Sequence, residues 1–417
     1  MICSTPYREG AIVSIAGIAA SHARLERFYT TLYTARWQKS AKRLPLIGPK
    51  LAETFGRRAY AGIPMAQVTN LAVLPELVHI GTRRLLGSHW PVLATGRMYA
   101  VKARFDKAVA RRLKRQPPDV LVGMYGASLE SFRAIHEHGG MAVLNFVNSH
   151  PAEHNRFLIE LAGLDAKHHE MIPAWVAARV EAELALADLV LVPSRFVAHQ
   201  LLAHGVTADK IAMLSYGVDL RAFLPRPRSA PNKRSLECLY VGQISHRKGV
   251  RVLLDAARRC RGLPVRFRLI GPMVSAEAFE GGLPDNVIYE GPNLPGGVAE
   301  AMQRADFFVL PTLEDSFALV VFEAMATGLP VVVTSNAGSA ELIEDGQDGL
   351  IVPAGDAAAL TEAIRRLLEH PELRQQLGEA ARAKVQGAHS WDAYGMSVLQ
   401  AIDARRMQPV QRNLQLS

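Results

Sequence analysis

The sequence predicts an α/β protein built from two doubly wound, Rossmann-like domains facing a cleft. Three observations carry that prediction. The chain has 417 residues, enough for two ordinary domains. Short apolar runs alternate with amphipathic stretches along most of it, the rhythm of parallel strands covered by helices. A proline-rich, basic interruption divides that rhythm into two series. With 49% hydrophobic and 21% charged residues the composition is that of a globular protein.

The first series opens on a strand ending near Ser4, followed by "AIVSIAGIAAS", Ala11 to Ser21. That run follows Glu9 and a single basic residue, Arg8, so it reads as the first helix of an α/β domain and not as an export signal. Residues 35–115 are the least legible, helical in places and rich in arginine. From Asp119 the pattern is regular. "DVLVGMY" and "MAVLNFVN" are buried strands on either side of the helix "SLESFRAIHEHGG", which its glycines close. "DLVLVPS", the helix "RFVAHQLLAHG" and the strand "KIAMLSYGV" repeat the unit.

"LPRPRSAPNKRS", Leu224 to Ser235, is the boundary. It separates a first domain over 1–226 from a second over 234–390. The second series runs through strands at "LECLYVG", "VRFRLIG", "NVIYEG", "DFFVLPT", "PVVVT" and "GLIVP". A last helical segment, 392–417, follows a break and packs on one of the two domains.

Three cysteines, Cys3, Cys238 and Cys260, form no paired motif, which argues against a disulfide framework or a structural zinc site and for a reducing, cytoplasmic setting. No apolar run reaches the roughly 20 residues that span a bilayer. Charge is uneven: the first 115 residues hold 20 Lys and Arg against 5 Asp and Glu, within a chain of net charge +9. A basic front half suits an anionic membrane surface, a lipid-linked phosphate or a charged glycan. The basic residues are scattered and no ribonucleoprotein motif accompanies them, so nucleic acid is not expected.

Two strand-to-helix junctions hold the chemistry. In "LPTLEDSFALVVFEAMATGLPVVVT", Leu310 to Thr334, a strand and a turn lead into an apolar helix from about Phe317 to Gly328, with Asp315 or Ser316 as N-cap. Ligands of doubly wound sheets bind beyond the carboxyl ends of strands, where helix amides favour anions. Glu323 stands inside that apolar helix, and a buried carboxylate needs partners such as sugar hydroxyls. The second junction, "YVGQISHRKGVRVLLDAA", offers Gly242 and Gly249 for close backbone approach and Lys248 for a phosphate. Neither the GxGxxG nor the GxxxxGK[ST] pattern occurs. His150 and His154 have metal-ligand spacing, but Pro151 interrupts it and no HExxH is present, so no metal is expected. The HEH at 136–138 and the pair His168, His169 read as helix-surface residues.

The order of "GVDLRAF", "YVGQISHRKG", "ADFFVLPTLEDSFALVVFEAMATGLPVVVTSNAG", "ELIEDGQDGLIVP" and "SWDAYG" resembles the retaining glycosyltransferases of family 4, whose two-domain fold is called GT-B. The resemblance covers about residues 115–400 and is strongest in the second domain. It implies a nucleotide-sugar donor on the second domain, a glycan or lipid-linked acceptor on the first, a final helix that crosses back to the first domain, and transfer without a cofactor.

The resemblance also assigns roles. Glu323 corresponds to the second glutamate of the family pair, expected on the nucleotide ribose, and Asp315 to the first, expected near the donor sugar. The amides of Ala318, Leu319 and Val320, next to Ser316 and Phe317, are expected on the diphosphate, and Lys248 on the leaving group. His150, following Ser149 at the end of a strand, is expected to face the donor sugar. Gly10, in the loop "STPYREG", is expected near the acceptor. Two departures stand out. Asp315 is a methylene shorter than the family glutamate, with Glu314 beside it as a substitute, and the family arginine is Gln243, with Arg247 as the replacement charge. A sugar-phosphate synthase, a nucleotide-sugar epimerase and a non-catalytic GT-B scaffold are the alternative readings.

Overall fold

A seven-stranded sheet and a six-stranded sheet carry the fold of the computed structural model, which describes residues 1–7, 9–34, 62–86, 91–225, 235–292, 295–388 and 390–407. The first sheet contains β1 (Ile2–Ser4), β2 (Arg27–Thr30), β3 (Val68–Asn70), β4 (Val120–Met124), β5 (Met141–Asn145), β6 (Leu189–Val192) and β7 (Ile211–Met213). Its order is β3-β2-β1-β4-β5-β6-β7, and every pairing is parallel. The second contains β8 (Leu236–Val241), β9 (Val265–Ile270), β10 (Val287–Tyr289), β11 (Phe307–Leu310), β12 (Val331–Thr334) and β13 (Leu350–Val352). It is ordered β10-β9-β8-β11-β12-β13, again all parallel.

Parallel strands need crossover helices, and helices on both faces demand strands that are apolar throughout. That is why β4, β5, β6, β11 and β12 are buried at every position. In each sheet the order reverses between two neighbouring strands, β1 and β4 in the first, β8 and β11 in the second. A crevice opens beyond the carboxyl ends of such a pair. The three cysteines are free and buried among the apolar side chains.

The last helix, Trp391–Met407, returns to the first domain and lies along the helix Gly10–Ser21. Ser14 Oγ donates to the Trp391 carbonyl at 2.6 Å, and the Arg24 guanidinium forks onto Asp403 at 2.6 and 2.8 Å. Gly395 lets the two helices touch, since a Cβ there would sit 2.6 Å from Ile18 Cγ1. Tyr216, Trp391 and Tyr394 form an aromatic cluster that reaches Phe317 of the second domain, 5.0 Å from Tyr216. The basic front segment contributes two helices, Val73–Leu86 and Pro91–Leu113. Arg8, residues 35–61, most of the 224–235 boundary and residues 408–417 of the final segment lie outside the described residues. His168 and His169 are not on a helix surface: they occupy the turn between the helices Pro151–Ala162 and Ala174–Leu186, against the second domain.

Candidate functional site

The crevice between β8 and β11 collects most of the residues singled out in the second domain. The loop after β8 folds down onto the end of β11, which only a glycine at position 249 allows. Gly249 has φ +68°, and a Cβ there would lie 1.7 Å from the Pro311 carbonyl oxygen. This close pass brings the Lys248 ammonium onto the Asp315 carboxylate. Asp315 also accepts hydrogen bonds from the amides of Ala318 at 3.0 Å and Phe317 at 3.3 Å. Burial, with Arg247 alongside, pulls Lys248 below its usual pKa in spite of Asp315.

The helix begins later than its sequence suggests, at Leu319, and runs to Ala326. Its N-cap is Ala318 in the left-handed region, φ +66°, and not Asp315 or Ser316. Ser316 is used elsewhere, donating its hydroxyl to the Val147 carbonyl of the first domain at 2.6 Å. Asp315 satisfies the amides of Phe317 and Ala318. Those of Leu319 and Val320 have no acceptor among the described residues. The positive end of the helix therefore has free donors.

Glu323 lies one turn further on. Its side chain is half-buried, no hydrogen bond or ion pair reaches it among the described residues, and burial alone pushes its carboxyl up to about 7. Every other acidic group near the junction is answered. Glu314 accepts the Ser149 hydroxyl, lies 2.9 Å from His154 Nδ1 and 3.7 Å from Arg247 Nη1. Burial works against its charge, but His154, Arg247 and Ser149 outweigh it and hold the carboxyl at about 2. Glu314 thus joins the two domains, and its oxygens are committed to the first.

A second carboxylate crosses the same seam. Glu170 accepts from the His246 amide at 2.9 Å, the Arg247 amide at 2.9 Å and the Ser275 hydroxyl, and lies 3.0 Å from His246 Nδ1. Neither Glu170 nor His154 was singled out by sequence for this position. His154 carried only its spacing from His150, and Glu170, in a turn, carried no signal at all.

The remaining expected residues are placed as follows. His150 does not face the crevice. It caps the helix Pro151–Ala162, stacks on His204 with centroids 3.7 Å apart, and approaches Glu181 to 2.7 Å, out of line for a hydrogen bond. The histidine of that segment that reaches the second domain is His154. Gln243 is exposed, and its carbonyl accepts the Tyr240 hydroxyl at 2.6 Å. Gly242 closes β8 in hydrogen-bond contact with Ile270 at 2.9 Å. Arg247 Nη1 donates to the Glu314 carbonyl at 3.2 Å. Gly10 opens its helix facing the Trp391 ring, and Glu9 already caps the amides of Ala11 and Ile12. Among the described residues the crevice leaves two helix amides and one carboxyl unanswered, with the Lys248 ammonium beside them on Asp315.

A family model described as "Glycosyl transferases group 1" matches residues 235–370. The chain is 31% identical over 235 residues to the D-inositol 3-phosphate glycosyltransferase of Arthrobacter sp. (strain FB24), covering 50% of this chain and 56% of that protein. It is 33% identical over 192 residues to a putative colanic acid biosynthesis glycosyltransferase of Escherichia coli (strain K12), covering 42% and 47%. The chain thus spans about half the length of the curated relatives it matches. Among solved structures, the sucrose-phosphate synthase of Thermosynechococcus elongatus superposes with TM-score 0.65 at 20% identity, over 97% of this chain and 98% of that one. Anabaena HepE, solved in complex with UDP and glucose, gives 0.65 at 16% identity over 97% and 99%. The chain has the GT-B fold, and residues 235–370, in the second domain that holds the crevice, match the glycosyl transferases group 1 family model.

Proposed function

We propose that the protein is a retaining glycosyltransferase that moves a hexose from a nucleoside diphosphate sugar to a hydroxyl of a glycan or lipid-linked acceptor in polysaccharide or glycoconjugate biosynthesis. The observation that carries this reading is Glu323, a half-buried carboxyl that, like the two helix amides in front of it, has no partner among the described residues. Such a group suits the two hydroxyls of a ribose, while the amides of Leu319 and Val320 and the Lys248 ammonium suit a diphosphate. On departure the diphosphate gains charge, which helix amides and an ammonium stabilise. In a retaining transfer the acceptor hydroxyl approaches from the face the diphosphate leaves. Its proton then passes to a phosphate oxygen, so the transfer asks for no metal.

UDP is the first nucleotide to try, because HepE binds it on the same fold. Thermal unfolding against a panel of nucleoside diphosphates and their sugars tests the reading. Ligands that bind only the native state raise the melting temperature. One nucleotide series should do so; a flat response across the panel at saturating concentration would sink the proposal.

The acceptor side of the proposal is an anionic surface at the cytoplasmic face of a membrane. No helix among the described residues is long and apolar enough to cross one. The helix Val73–Leu86 exposes Leu74, Leu77 and Val78 on one face, within the strongly basic front segment. Co-sedimentation with anionic but not neutral vesicles, lost in the double variant Leu74→Asp, Leu77→Asp, is the expected result. Equal recovery from both vesicle types would remove the membrane from the account.

A further inference from the structure

We infer that Trp175 and Tyr99 form a stacking platform for a sugar ring of the acceptor, which is therefore a glycan; the inference rests on the transferase reading above. The order of the first sheet reverses between β1 and β4, and two hydrogen bonds hang the helix Pro91–Leu113 over that point. Tyr7, in the loop after β1, donates its hydroxyl to the Met98 carbonyl at 3.1 Å, and the Lys102 ammonium donates to the Tyr125 carbonyl, just past β4, at 3.3 Å. Tyr99 stands between these two anchors. The Lys102 ammonium lies over its ring, 5.3 Å from the centre. The same ring meets Trp175 edge to face, with centroids 5.7 Å apart and planes at 82°, a favoured arrangement of two aromatic quadrupoles.

Trp175 is the only exposed aromatic side chain among the described residues, with half of it open to water. Its backbone is nonetheless held. The Asn155 side chain clasps the main chain of Ile172 through two hydrogen bonds, at 2.8 and 3.0 Å, and Pro173 then leads into the helix Ala174–Leu186 at φ −62°. A large, rigid ring held out to solvent loses little entropy on binding, which is why Trp and Tyr are enriched on recognition surfaces. The C–H face of a pyranose is a flat apolar partner for such a ring, and a phosphate is not. Trp175 also follows Glu170 by five residues, and the Glu170 carboxylate accepts the Arg247 amide next to Lys248. Five residues of chain span at most about 18 Å. The platform is therefore within reach of a short oligosaccharide whose end lies in the donor crevice.

The test is calorimetric titration of the full chain, without nucleotide, with short oligosaccharides of glucose, galactose, mannose and N-acetylglucosamine. At least one series should bind saturably. Trp175→Ala and Trp175→Leu should each weaken that binding about tenfold or more, while Trp175→Phe keeps most of it, because a ring and not apolar bulk is what the sugar needs. Titration of the same proteins with UDP separates this inference from the nucleotide reading, and equal UDP affinity in parent and variants shows that the variants are folded. A parent that binds UDP but no oligosaccharide, or oligosaccharide binding that survives Trp175→Ala, would overturn the platform and leave the nucleotide reading standing. A parent that binds oligosaccharide through Trp175 but no nucleotide would support the platform and sink the nucleotide reading. Loss of anionic-vesicle binding in Trp175→Ala, with oligosaccharide binding unchanged, would assign the ring to a membrane and overturn the inference as well.

Discussion

A carboxylate in an otherwise apolar helix weakens a protein unless something answers it. Glu323 is unanswered among the described residues, and burial moves its carboxyl from 4.5 to about 7. The folded chain keeps this proton up to about pH 7, whereas the unfolded chain releases it near 4.5. The group therefore favours folding below the lower value and ceases to as the pH rises through the upper one. Glu323→Gln removes the charge that must be buried above pH 7. The variant should melt about 2 °C or more above the parent at pH 8 and at nearly the same temperature at pH 5. A gain that is equal at both pH values would mean that ionisation of Glu323 is not its cause. The oddity of this residue was legible in the sequence, because an acid among Leu, Val, Phe and Ala breaks the pattern. His150 shows the opposite case. As the N-cap, with φ −56° and ψ 135°, it leaves the chain before the helix begins, so its direction does not follow the helical spacing that relates it to His154.

At the scale of elements, the junction between β11 and its helix was legible as strand, turn and helix, and the cap was not. Sequence favours Asp315 or Ser316 there by residue type. The chain instead places Ala318 at φ +66°, because Asp315 is held by Lys248 and Ser316 by Val147 of the other domain. Both contacts are between residues remote in sequence, which local propensity does not register. An alanine in the left-handed region costs about 1 kcal/mol relative to an allowed conformation, and glycine has no such cost. Ala318→Gly should raise the melting temperature by about 2 °C. A fall instead would show that the alanine methyl, nearly buried at this helix start, contributes more by packing than its backbone costs.

Across the whole molecule, the rhythm of strands and helices announced two parallel sheets, and the structure gives both the same pattern of order reversal. What the rhythm did not contain is how the two crevices face one another. Ser149 and His154 on Glu314, and Glu170 on the amides of His246 and Arg247, pair groups from different domains, and neither pairing leaves a mark on local composition. Glu314 ties this seam to pH. Its carboxyl is held at about 2, so the contact stabilises the folded chain above about 4.5 and loses that effect as the pH falls toward 2. The front segment shows the limit in another way, since its charge was legible while its two helices were only loosely so. The central claim of the account is that the β8–β11 crevice holds a nucleoside diphosphate with Glu323 on its ribose. Calorimetric titration of UDP into the parent and into Glu323→Ala tests it most directly. A charged hydrogen-bonding group is worth about 1.5–3 kcal/mol, so the variant should bind about tenfold to 100-fold more weakly. Equal affinity in the two proteins would place the nucleotide away from Glu323 and contradict the account.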